Sequence, residues 1–123
     1  MNETGVRQVK KELPRIRPAA DILQKDEAFY ILIDMPGVKR EDLEIAVDKN
    51  VLTVQGDTSY PQAENEKFLE NEFGNVHYIR KFTLSDAVEK SSIQAHLSNG
   101  QLRLDLPKAK ELQPRKIEIK SSE

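Results

Sequence analysis

The 123-residue chain has no cysteine, which removes disulfides, thiolate nucleophiles and sulfur-ligated metal sites together. A secreted, disulfide-stapled protein is excluded. Long apolar runs are also missing: nothing approaches the roughly 20 residues a membrane-spanning helix needs. The start, MNETGVRQVKKELPRIRP, lacks the apolar centre of a secretory signal, so the cytoplasm is the expected location and no membrane partner is expected. Neither sign of charge dominates. With 19 basic and 21 acidic residues the net charge is -2, and the cations are scattered among acids, so nucleic acid is not an expected partner. Aromatics are scarce at 6%, against 37% hydrophobic and 33% charged residues, which predicts a thin, mostly aliphatic core and therefore a two-layer body. The length suits one such domain.

Residues 1–17 are polar with a basic lean and read as a flexible arm punctuated by Pro14 and Pro18. Beyond it, short apolar alternations broken by turn residues recur about every ten positions, the spacing of an all-β sandwich. AFYILIDMPG places Phe29, Ile31, Ile33 and Met35 on one face and Tyr30 and Leu32 on the other, so this strand is expected to lie inside its sheet. LEIAVDKNVLTVQG predicts a hairpin turning at Lys49-Asn50, with Val47 opposite Leu52 and Ile45 opposite Val54. Asn99-Gly100 in IQAHLSNGQLRLDLP is a stronger hairpin signal, because both turn positions favour positive φ. It pairs Leu97 with Leu102, Ala95 with Leu104 and Ile93 with Leu106, and puts His96 opposite Arg103 on the outer face. A helix from Ser85 to Leu97 competes locally, but Ser91-Ser92 and the hairpin signal oppose it. Between the hairpins Val76, Tyr78, Phe82 and Leu84 alternate as a strand. Arg80 interrupts their face, and either snorkels at an edge or pairs with a carboxylate across an interface.

No catalytic constellation can be assembled. His77 and His96 both fall on polar strand positions, where solvated imidazoles are expected, and no phosphate loop, nucleophile elbow or metal-ligand spacing occurs. The acids Glu64, Glu66, Glu70 and Glu72 read as a solvated loop. The chain is expected to be a binding protein without catalytic residues, metal or cofactor. The tail raises its own question: Ile117 and Ile119 flank Glu118 in an otherwise polar segment. In an extended chain they project to one side as a pair of apolar knobs, and Pro114 favours that extension. They either dock on a neighbouring subunit or form a last strand on their own domain.

YILIDMPGVKREDLEIAV with NVLTVQG, FLENEFGNVHYIRKFTLS, AHLSNGQLRLDLPK and the terminal IEI, in that order, resemble the small heat-shock proteins of the α-crystallin family over about residues 18–120. The chain departs from the family pattern at Ser85, at Gln101 and in its short polar arm. The resemblance implies an immunoglobulin-like antiparallel β-sandwich over 18–108, between the arm 1–17 and a tail 109–123. It implies an ATP-independent holdase that binds unfolding client proteins in the stress response. A CS-type co-chaperone adaptor, a similar sandwich that binds one folded chaperone, is the alternative. It further implies a homodimer through an exchanged strand at Phe68-Leu69, with Arg80 near the interface and Glu72 among the loop acids that could pair with it. Further assembly would use Ile117 and Ile119, docked in a groove formed by Ile45 and Val47 on one strand edge and Ile93 on the other.

Overall fold

The computed structural model describes residues 13–61, 74–110, 114 and 116–121. Eight strands are formed among them: β1 (Arg15–Ile16), β2 (Ala20–Gln24), β3 (Ala28–Asp34), β4 (Val38–Asp48), β5 (Val51–Thr58), β6 (His77–Thr83), β7 (Gln94–Ser98) and β8 (Gln101–Pro107). They make two four-stranded sheets, ordered β1-β6-β5-β4 and β2-β3-β8-β7. All pairings are antiparallel except β1 with β6, where the end of the expected arm lies parallel to Arg15↔His77 and Ile16↔Tyr78.

Alternation decides what is buried. In β3 and β8 the cross-strand pairs Ile31↔Leu104 and Ile33↔Leu102 stack one above the other, and each of the four side chains is at most 3% exposed. Tyr30 and Leu32 on the opposite face are half-buried, and β3 lies between β2 and β8. From the facing sheet Leu52 and Val54 of β5 enter the same core with no exposed area, joined by Met35, Val38, Leu84 and Val88. This core contains no aromatic among its fully buried side chains, as the composition required. Burying each such aliphatic side chain contributes about 1.5–3 kcal/mol.

Both hairpin registers are those the sequence predicts. Val47 pairs with Leu52 and Ile45 with Val54, around a turn where Lys49 has φ 61°. Leu97 pairs with Leu102, Ala95 with Leu104 and His96 with Arg103, and Asn99 and Gly100 take φ 47° and 80° at the turn. The third expected pair is not part of the ladder: β7 begins at Gln94, because Ile93 closes a single 3₁₀ turn at Lys90–Ser92. That turn is the only helical structure among the described residues of 85–97.

Candidate functional site

The sandwich has two open sides. On one, the edge strands β4 and β7 of the opposing sheets leave a groove of about 470 Å³. Leu43 and Ile45 come from β4, Ala95 and Leu97 from β7, Leu102 lies beneath, and Arg40 stands at the rim. Ile45 is thus in the groove as the sequence places it. Val47 lies further along β4, 38% exposed, and Ile93 packs half-buried against the core just before β7; neither is among the residues lining this groove. Leu43, Ala95 and Leu97 share the strand parity of the three expected residues, so alternation alone could have supplied them. Nothing in the sequence pattern pointed to Arg40.

The tail stands away from the sandwich. Residues 116–121 have no regular structure, and Ile117 and Ile119 are 81% and 91% exposed. Pro114 is likewise exposed.

On the opposite side, the edge strand β2 and the β6–β1 edge leave a gap of about 450 Å³ lined by Ile22, Phe29, Phe82 and Leu106, with Arg17 and Arg80 among its walls. Ile22 and Leu23 of β2 are 60% and 44% exposed, so this edge presents apolar side chains as well as a row of backbone groups with no strand partner among the described residues. Arg80 lies opposite the buried Val54 and therefore on the inner face of its sheet. Its guanidinium reaches the rim, where Nη1 donates to the Pro18 carbonyl at 2.9 Å and the group lies 5.2 Å over the Phe82 ring. Among the described residues, then, Arg80 meets a backbone carbonyl and an aromatic face. Phe68, Leu69 and Glu72 lie outside the described residues.

The segment that contains them starts and ends at a polar clasp. Thr58 is 4% exposed and donates from Oγ1 to Asn75 Oδ1 at 2.9 Å, while the same Oδ1 accepts from the Tyr60 amide at 2.8 Å. The Val76 amide donates to Thr58 Oγ1 at 2.9 Å. Beside this clasp, burial pushes the Tyr78 phenol above its ordinary pKa of 10.0, and neighbouring Tyr60 adds to the shift.

The histidines are paired rather than free. His77 Nδ1 lies 2.6 Å from Asp57 Oδ1, its cross-strand neighbour, and Nε2 lies 3.2 Å from Gln55 Oε1. His96 lies 3.4 Å from Asp105, which also accepts from Arg103 at 2.9 Å. No group of three potential metal-ligating side chains occurs among the described residues. Among the same residues no helix is long and apolar enough to cross a membrane.

The sequence profile of the Hsp20/alpha crystallin family matches residues 21–120, and the chain belongs to that family of small heat shock proteins, which are stress-response chaperones. It is 40% identical over 115 residues to a probable 15 kDa heat shock protein of Leptospira interrogans, covering 93% of this chain and 87% of the relative. It is 35% identical to spore protein SP21 of Stigmatella aurantiaca, covering 89% of this chain and 65% of that protein. Among solved structures, heat shock protein 16.0 of Schizosaccharomyces pombe superposes with a TM-score of 0.66 at 27% identity, covering 87% and 99% of the two chains. A small heat-shock protein of Xylella fastidiosa, described as having a distinct high order structure, gives 0.62 at 30% identity and covers 85% and 96%.

Proposed function

We propose that this chain is an ATP-independent cytoplasmic holdase: a β-sandwich dimer, assembled further through its tails, that binds apolar surface exposed by unfolding proteins and limits their aggregation. One observation carries the reading. A single chain combines an open groove between two edge strands, walled by Leu43, Ile45, Ala95 and Leu97 beside Arg40 and His96, with a tail whose two isoleucines are almost fully exposed. Docked into a neighbour's groove, the two side chains contribute roughly 3–6 kcal/mol before the cost of ordering the tail, which leaves a weak, reversible contact. From Pro107 to Ile117 the extended chain reaches roughly 33–36 Å, enough to arrive at another subunit. A groove covered reversibly is open for part of the time to an apolar segment of an unfolding client. Such binding withdraws non-native chains by mass action and consumes no nucleotide.

The dimer is proposed to form when the strand at Phe68-Leu69 of one subunit adds to the exposed β2 edge of the other, covering Ile22 and bringing an acid such as Glu72 toward Arg80. Strand addition there also hides an edge that would otherwise template aggregation. A high order structure is described for the Xylella relative, which supports assembly of this chain beyond the dimer.

The test uses purified protein without nucleotide, mixed with a heat-unfolding enzyme whose aggregation is followed by light scattering. Suppression at near-stoichiometric ratios is expected. Suppression that appears only with ATP and a second chaperone would replace the holdase by the co-chaperone adaptor.

A further inference from the structure

The rim of the groove holds a charge that alternation does not account for. Between the pairs Val38↔Thr58 and Leu43↔Gly56, β4 advances five positions while β5 moves two, so β4 carries three extra residues. Such a bulge re-aims the side chains within it. Gly56 makes room for it: a Cβ at that position would meet Val38 Cγ1 at 2.8 Å and the Asp42 carbonyl oxygen at 3.0 Å. Counting back in twos from Ile45 and Leu43 would send Arg40 to the other side of the strand, yet it lines the groove with them. Among the described residues Arg40 forms no ion pair. His96, the other titratable group at the groove, is already placed against Asp105 at 3.4 Å.

The tail carries a matching pattern in Lys116-Ile117-Glu118-Ile119-Lys120. With both isoleucines turned into the groove, the remaining three residues share the outward side. A single acid therefore stands between two cations, and Glu118 forms no ion pair among the described residues. Arg40 attracts the central acid and repels either lysine.

We infer that Arg40 fixes the register of the docked tail by pairing with Glu118 of the neighbouring subunit, so that the residue between the two isoleucines selects its own groove. The inference rests on the tail-docking reading above. The isoleucines supply most of the contact, and the charge pair decides which of the possible two-residue slips is occupied.

The experiment follows the mass of the full-length protein by light scattering across a dilution series for Arg40→Glu, Glu118→Lys and the two together. Each single variant is expected to raise the concentration at half-dissociation by about threefold or more, with a larger effect at low salt. The double variant restores the pair with reversed sign and is expected to return toward the parent midpoint. Glu118 lies outside both sheets, so its substitution leaves the sandwich intact. Single variants with the parent midpoint, or a double variant whose shift equals the sum of the singles, would overturn the inference. Ile117→Ala with Ile119→Ala separates the two levels. If that change dissociates the assembly and the charge variants do not, the Arg40 assignment alone fails; if it leaves the mass unaltered, the docking reading fails and takes the assignment with it.

Discussion

Arg80 Nη1 and the Pro18 carbonyl, 62 positions apart in sequence, are joined by a 2.9 Å hydrogen bond across the open side of the sandwich. Pro18 is buried, so its carbonyl has little access to water as a substitute partner. The bond ties the start of the domain to β6, and it places a guanidinium beside the edge where the exchanged strand is proposed to add.

Arg80→Ala is accordingly expected to lower stability by about 1–3 kcal/mol, the cost of leaving a buried acceptor unsatisfied, in urea unfolding of the dilute protein. Arg80→Lys keeps the charge but loses the planar fork over Phe82, and should recover only part of that loss. A wild-type midpoint for Arg80→Ala would mean that the side chain only snorkels.

Core and edge residues should respond differently. Leu104, with no exposed area and paired with Ile31, leaves a cavity when cut to Ala and should cost about 2–5 kcal/mol. Ile22, 60% exposed on β2, should change unfolding by less than about 0.5 kcal/mol when replaced by Ser, while weakening the dimer measured by sedimentation. An unchanged dimer constant for Ile22→Ser would remove β2 from the interface.

Deleting residues 60–72 removes the proposed exchanged strand together with one side of the Asn75 clasp. Dimers are expected to become monomers whose circular dichroism remains that of a β-sandwich. A dimer mass for the deletion would sink strand exchange.

Tyr78 gives a pH dependence of known sign. Its folded pKa lies above the ordinary 10.0 through burial first and Tyr60 second, so folding favours the neutral phenol. The stability it contributes is complete below pH 10.0 and is lost as pH climbs from there through the folded value. Tyr78→Phe should flatten the alkaline limb of stability against pH, and phenolate absorbance should show one tyrosine titrating late. A limb of unaltered slope in Tyr78→Phe would show that other groups cause the alkaline loss.

Much of this fold was legible because β-structure with one buried face writes itself as a period of two. Asn99-Gly100 set one hairpin register and Lys49-Asn50 the other, and both follow from turn length and side-chain parity. The same rule reached its limit where the period breaks. Ile93 misses the ladder because a 3₁₀ turn precedes β7, and Arg40 enters the groove because β4 bulges; each depends on neighbouring strands rather than on local sequence. Arg80 stood out as an anomaly, but the Pro18 carbonyl that it meets among the described residues is a backbone partner, which no side-chain pattern reveals. The short β1 strand was equally hidden, since two residues cannot display a period.

Ile117 and Ile119 are the residues through which the assembly is proposed to form, and the decisive measurement is the mass and the melting temperature of the Ile117→Ala, Ile119→Ala protein over a dilution series. Docking on a neighbour predicts that assemblies larger than the dimer dissociate while the dimer's melting temperature stays within about a degree or two of the parent, because the two side chains contribute nothing to the isolated sandwich. Unaltered mass at every concentration, or a fall in melting temperature at fixed mass, would contradict it.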